Sequence, residues 1–366
     1  MKRYVFFLTA VLAGCLLLAS CGRGAAPTQD GSLRSITVYL PLPVKTIAMF
    51  PLVIPEYLGY FEEEGLDVET IPTESSSLII QQMAAGNGEA GWVVSGTAMH
   101  ALAQNNDIVS VHEFLVKPVF SLIVPEDSPI RSYEDLRGQT IGVENSAGGD
   151  IPELKADLEN RGLVVGQDVQ LIALGEDVGA IWEQVTSGKV AAFNISYNNL
   201  VRLIGNNVKF RTLNDELDLT ELRPSVPLLI KKDIVEKEPE VAIGLGRAIN
   251  KAIVFAHANP DAALALQKQA FPEEHGDPDF ARLYMDLAIE MSWPQDESRL
   301  NRLGEQSLKG WQELQEILIS GSSEFEGLKE AFDLEPYITN DFIDEMNDFD
   351  REAIEEQARS SNLNYP

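Results

Sequence analysis

Apolar and polar positions along the chain switch repeatedly between two periods. "SITVYL" alternates and predicts a strand; "MFPLVIPEYLGYFEEEGLDVETI" then carries Leu52, Ile54, Leu58 and Phe61 at helical spacing, stops at Gly65 and alternates again at "LDVETI". "SSSLIIQQMAAGNGEAGWVV" repeats the theme with three serines at a helix start, an apolar face, a Gly-Asn-Gly stop and a strand, and "SGTAMHALAQ" opens a further helix. A second series begins at "FSLIV", passes through the strand "TIGVE" and a helix opening near "SAGGDIPEL", and continues as "VQLIAL" (strand), "GAIWEQVTSG" (helix) and "VAAFNI" (strand). "PSVPLLIKKDIVEKEPEV" returns through a strand to the long helix "VAIGLGRAINKAIVFAHANP", and from about residue 278 the pattern is helical alone. Strand–helix–strand order with short loops predicts an α/β fold with largely parallel sheets.

The N-terminus follows a different logic. Met1-Lys2-Arg3 is a short positive stretch, and Tyr4 to Leu18 is apolar over about fifteen residues, the length of a signal peptide and short of the roughly twenty that span a bilayer. No later segment reads as long and apolar enough to cross a membrane. The chain has two cysteines, Cys15 inside the apolar run and Cys21 at its end. Leu18-Ala19-Ser20-Cys21 resembles the lipobox of bacterial lipoproteins, and that resemblance implies removal of residues 1–20, acylation of Cys21 and attachment to the cell envelope. Residues 21–35 are then a small, polar, flexible tether. A plain secretory signal or a short N-terminal anchor are the alternatives.

After such cleavage no disulfide is available, so a large core must hold the chain, and about 345 residues can supply two domains. Loss of Lys2 and Arg3 takes the formal net charge from −29 to −31, which repels nucleic acid and anionic lipid; no nucleic-acid partner is expected. The four histidines, His100, His112, His257 and His275, lack metal-ligand spacing, and there is no nucleophile elbow, phosphate loop or His-Glu-x-x-His. No catalytic residue, metal or cofactor is expected. The acidic runs "DELDLTE" and "NDFIDEMNDFD" lack the glycine turn and ligand spacing of a calcium loop and read as solvated faces.

Four stretches, in order, resemble the substrate-binding proteins of ABC importers in the nitrate/sulfonate/taurine and thiamine-precursor group. They are "EYLGYFEEEGLDVE", "SSSLIIQQMAAGNGEAGWV", "SYEDLRGQTIGVENSAGG" and "ALGEDVGAIWEQVTSGKVAAF". Glu89 and Ala191 stand where that group usually has an acid of another kind or any acid, at positions that read as structural, whereas "NSAGGD" departs at a segment that normally touches ligand. The resemblance implies a two-lobed periplasmic-binding-protein fold of type II, each lobe a mainly parallel sheet flanked by helices, with a helical C-terminal extension. Lobe 1 is expected at 36–117 plus 228–366 and lobe 2 at 118–227. It further implies a small-molecule solute held between the lobes, an ABC permease with its ATPase subunit as partners, and an extracytoplasmic, lipid-anchored location. A solute receptor reporting to a membrane sensor is the other role that lobe closure would serve. The same fold houses a hydroxymethylpyrimidine synthase that consumes a histidine and uses a cysteine-rich iron-binding segment, for which the mature chain has no cysteine.

Ligands in open α/β sheets bind beyond the carboxyl ends of strands, where helix N-termini present unpaired N–H groups. Four such junctions supply candidates: Thr46 to Phe50, with Phe50 able either to stack on a flat ligand or to pack in the core; Ser75, Ser76 and Ser77; Ser95, Gly96 and Thr97; and Ser146, Gly148 and Gly149, whose helix dipole favours a negative or strongly polar group. Asp150 could satisfy those same N–H groups or pair with a ligand cation. Ser196, Tyr197 and Asn198 leave the last strand of lobe 2 as a hydroxyl- and amide-rich edge. Trp92 reads as core ahead of a place in the cleft, and Trp182 as core. The ending "YITNDF" resembles the "Y-x-T-N-x-F" of thiamine-precursor binders and leans toward a pyrimidine-like ligand over the alternative of a sulfonate, taurine or nitrate-type anion; a sulfonate site would want an arginine at a helix start, and only Lys45 lies near any of the four.

Overall fold

The computed structural model describes residues 32–366 except 105–106, 147, 149, 176, 214–222, 295, 321–327, 329 and 366. The expected signal peptide, Cys21, most of the tether, and Gly149 therefore lie outside the described residues. The chain first forms β1 (Arg34–Leu40), α1 (Phe50–Leu58), α2 (Tyr60–Glu63), β2 (Leu66–Pro72), α3 (Ser76–Ala84), β3 (Ala90–Trp92), α4 (Ser95–Ala103) and β4 (Ile108–His112). It crosses to β5 (Phe120–Pro125), β6 (Thr140–Val143), α5 (Ile151–Glu159), β7 (Gln170–Ala173), α6 (Val178–Thr186), β8 (Ala192–Ser196), α7 (Tyr197–Gly205) and β9 (Phe210–Thr212). It returns through β10 (Leu228–Lys231) and continues as α8 (Lys232–Lys237), α9 (Pro239–Ala258), α10 (Pro260–Ala270), α11 (Pro278–Ser292), α12 (Leu308–Ser320), α13 (Ile343–Met346) and α14 (Arg351–Ser360).

These strands make two five-stranded sheets, ordered β2-β1-β3-β10-β4 and β7-β6-β8-β5-β9. In each, four strands share one direction and the crossing strand, β10 or β5, runs antiparallel to its neighbours. This is the two-lobed periplasmic-binding-protein fold, one lobe around each sheet. Burial explains the patterns that predicted it. Central β3, and edge strand β4 where the C-terminal segment pairs with it at Ser110, are buried at every position, whereas edge strand β2 alternates with exposed Asp67 and Glu69. Gly91 lets α3 lie directly on β3: a Cβ there would come within 2.4 Å of Ile79 Cγ2. Glu89 is structural, its Oε2 accepting from the Thr37 N–H at 2.9 Å.

One expectation needs correction. α9 has 20 residues and a mean hydropathy of 1.2, enough by length and composition to cross a membrane. Yet 83% of its apolar window is buried within the protein, where α1, α13 and α14 pack on it, so it is the central helix of the first lobe. Its charged Arg247 and Lys251 are tolerated there because they pair with Glu64, at 2.6 and 3.4 Å.

The chain crosses between lobes twice, at residues 113–119 and again before β10. The carboxylate of Glu113 in the first crossing accepts N–H bonds from Ser225 (2.8 Å) and Val226 (3.4 Å) in the second, and from Leu115 (3.1 Å) in its own. Ser225 completes the junction: its Oγ accepts from Val119 N–H at 3.0 Å and its carbonyl from Ser95 N–H at 2.9 Å. The walls of the cleft are hung from this knot.

Candidate ligand-binding cleft

Two adjoining cavities lie between the lobes. The first, about 140 Å³, is walled by Ser95 from the first lobe, by Tyr133, Asp150, Glu153, Asp157 and Asn194 from the second, and by Arg223 and Ser225 of the returning crossing. Asp150, Glu153 and Asp157 follow one another at intervals of three and four, which places them on one face of α5, and that face looks into the cleft. Burial pushes the Asp150 carboxyl up to about 7, and Glu144 and Glu153 nearby add to the rise; its Oδ2 accepts from Asn194 Nδ2 at 2.6 Å. It makes no side-chain cap to the first turn of α5, but its carboxyl engages its own backbone N–H, so the internal satisfaction that the sequence allowed is made in part. No described cation pairs with it. Burial also raises Glu153 and Asp157, partly offset by Arg223, whose guanidinium stands 3.2 Å from Glu153 and 3.9 Å from Asp157. Glu153 reaches across the cleft, its Oε2 accepting from Ser95 Oγ at 3.2 Å.

The second cavity, about 90 Å³, is apolar and aromatic, walled by Met49, Trp92, Phe114, Phe120, Tyr197 and Met291 among others. Trp92 and Phe114 stack at 4.3 Å between ring centroids and 19° between planes. Val94, Val119 and Phe120 belong to the walls of both cavities, so the two are halves of one cleft, greasy on one side and carboxylate-lined on the other. The polar rim of the apolar half is already engaged. Tyr197 Oη donates to the Tyr284 carbonyl at 3.3 Å, Tyr284 Oη donates to Asn198 Oδ1, and Ser196 donates to Glu144 Oε1 from both its N–H (2.8 Å) and its Oγ (2.7 Å).

The sequence candidates divide accordingly. Ser95, Ser196, Tyr197 and Asn198 stand on the cleft walls. Gly96 lies just outside, in a small crevice where α4 meets α5 and α12, and Thr97 is half-buried on α4. Thr46 is buried beside Ala48 and Met49, which do line the apolar half; Phe50, 1% exposed, faces the first-lobe core and is on neither wall. The serine triplet has other duties: Ser75 caps α3 through Leu78 N–H (3.3 Å), Ser76 Oγ accepts from Val94 N–H (3.0 Å), and Ser77 is exposed. Ser146 is exposed, and Gly148 is half-buried with Asp150 Oδ1 folded over it. Trp92 is fully buried, as its apolar strand implies, but the buried face it helps to build is the cleft's. The residues missed were Phe114, Tyr133, Glu153, Asp157 and Arg223. A helical spacing of acids within "GGDIPELKAD" was the one available signal.

The raised carboxyl gives a direct pH prediction. Asp150 holds in the folded state a proton that the unfolded chain loses near the ordinary aspartate value, so its contribution to stability declines as pH rises through that range toward 7. Asp150→Asn keeps an acceptor for Asn194 and removes the penalty. In thermal melts of the ligand-free protein the variant should match the parent at pH 4 and exceed it at pH 8, by roughly 2–4 kcal/mol. A difference independent of pH would show that Asp150 is not held protonated by burial.

The sequence profile of the family described as "NMT1/THI5 like" matches residues 47–263, more than half of the chain. Among curated proteins, the riboflavin-binding protein RibY of Chloroflexus aurantiacus is 23% identical over 329 residues, 87% of this chain and 88% of its own. The formylaminopyrimidine-binding protein of Halalkalibacterium halodurans is 27% identical, with 71% and 77% covered. The 4-amino-5-hydroxymethyl-2-methylpyrimidine phosphate synthase of Legionella pneumophila is 23% identical, with 61% and 70% covered. Among solved structures, the periplasmic aliphatic sulphonate binding protein SsuA of Escherichia coli superposes with a TM-score of 0.61 at 16% identity, over 78% of this chain and 86% of its own. On this evidence the chain belongs to the NMT1/THI5-like family.

Proposed function

We propose that the protein is the extracytoplasmic solute-binding component of an ABC importer and that its solute is a flat heteroaromatic molecule carrying amino or other donor groups, pyrimidine-like in character. The observation that carries this reading is the split cleft: the Trp92–Phe114 stack on one side of a shared wall, and Asp150, Glu153 and Asp157 on the other. An aromatic ring gains area and stacking in the apolar half, and donors at its edge meet the carboxylates. The names of the relatives that bind riboflavin and formylaminopyrimidine support a heteroaromatic solute.

The chemistry weighs against a sulfonate or nitrate solute. The N-terminal turn of α5 would attract an anion through its dipole, but the carboxyl groups of Asp150 and Glu153 already occupy that turn. The cations on the wall are engaged, Arg223 with Glu153 and Asp157, and Lys117 with Glu290. The described walls of both cavities carry neither histidine nor cysteine, which favours capture without turnover although two relatives are named as synthases. Capture draws the lobes together about the Glu113 junction, and the Ser95–Glu153 bond ties the closed walls across the cleft. The closed form then presents one surface to the permease.

A thermal-shift series on the full-length protein tests the solute. 4-Amino-5-hydroxymethyl-2-methylpyrimidine, formylaminopyrimidine or riboflavin should stabilise it, by about 2.7 kcal/mol at a hundredfold excess over Kd, and taurine, alkylsulfonates and nitrate should not. Stabilisation by the anions alone would contradict the reading. The lipid anchor on Cys21 is tested by fractionation: Cys21→Ser should move the protein from the membrane to the soluble extracytoplasmic fraction, and unchanged membrane retention would rule the anchor out.

A further inference from the structure

Trp92 presents a problem that packing does not solve. Its side chain is wholly buried, yet its indole Nε1–H has no hydrogen-bond partner. A buried donor left unpaired costs free energy, and such groups in native proteins call for an explanation. The neighbours on the cavity wall offer none. Phe114, Val226 and Met291 are apolar, Asn198 Oδ1 already accepts from Tyr284, and Ser196 Oγ is spent on Glu144. Trp92 also sits at the carboxyl end of β3, just before the loop that leads through Val94 to Ser95 on the carboxylate wall. Among the described residues no acceptor pairs with it, and the cavity its ring helps to wall is the apolar half of the cleft.

We infer that the Trp92 indole N–H is a specificity-determining donor, reserved for an acceptor atom, a ring nitrogen or a carbonyl oxygen, on the solute's aromatic ring. The inference rests on the heteroaromatic reading above and sharpens it. With the carboxylates accepting at the opposite end, the cleft selects a ring that accepts on one edge and donates on the other. A hydrocarbon ring of the same shape would fill the apolar half and leave the N–H unpaired, so discrimination against it should be strong.

The test uses 4-amino-5-hydroxymethyl-2-methylpyrimidine and its carbocyclic isostere, in which both ring nitrogens are CH, each titrated into the full-length parent and into Trp92→Phe. The parent should prefer the pyrimidine by about tenfold or more, and the variant should bind both about equally. A purely packing role for Trp92 would weaken both ligands alike and keep the preference, which would overturn the inference. In case the variant folds poorly, the parent alone decides the matter by NMR. The Trp92 indole N–H resonance should move downfield with the pyrimidine and not with the isostere; an unmoved resonance in a saturated complex overturns the inference while leaving the proposed function standing. Absence of pyrimidine binding to the parent would instead sink the pyrimidine reading, and this inference with it.

Discussion

The carboxylate of Glu113 holds the two crossing segments together, and the cleft depends on it. Two segments that carry the chain in opposite directions between lobes must lie side by side with their backbone groups satisfied. Glu113 does this by accepting N–H groups from both. Burial pushes its carboxyl up to about 7 even against those three donors, so the anion is kept at a cost and is held by geometry rather than by a cation. The next residue, Phe114, is the stacking partner of Trp92. The same short segment therefore joins the lobes and builds the aromatic wall, which makes lobe position and cavity shape one variable.

The cleft itself separates two kinds of recognition. Its apolar half offers area and ring stacking, which favour any flat molecule of suitable size. Its carboxylate half imposes direction and charge, and it does so in a setting dry enough that burial raises all three acids on α5. Arg223 tempers Glu153 and Asp157, while Asp150 has the Asn194 amide for a partner and no described cation. A structural likeness to an aliphatic sulphonate binder at 16% identity speaks to the scaffold; the charge of the site follows from the side chains placed on it.

Much of the fold was legible because the signals were local. Alternation in "SITVYL" and "LDVETI", helical spacing after it, and glycines at the stops required no knowledge of distant residues. The site was legible only in part. Ser95 and the Ser196–Asn198 edge fall on the cleft walls because strand exits lead into clefts in this architecture. The triplet Ser75–Ser77 misled because a run of hydroxyls looks like a surplus, when one is a cap, one braces Val94 and one meets solvent. Glu113 could not be found from the sequence: its partners Ser225 and Val226 are 112 and 113 residues away along the chain. The face of α5 could be drawn from the spacing of its acids, but whether it met solvent or a cleft depended on the opposite lobe. Trp92 read as core ahead of the cleft from its apolar strand; it is buried, and the interior it helps to wall is the cleft's, which the strand pattern alone does not distinguish.

The central claim is that one solute is gripped by both lobes at once in the split cleft. Hydrogen–deuterium exchange on the full-length protein, with and without saturating 4-amino-5-hydroxymethyl-2-methylpyrimidine or riboflavin, tests it most directly. The account predicts joint protection of residues 92–95 and 113–120 with residues 150–157 and 194–198, because closure orders both walls together. Protection confined to one lobe, or appearing away from these four segments, would contradict it.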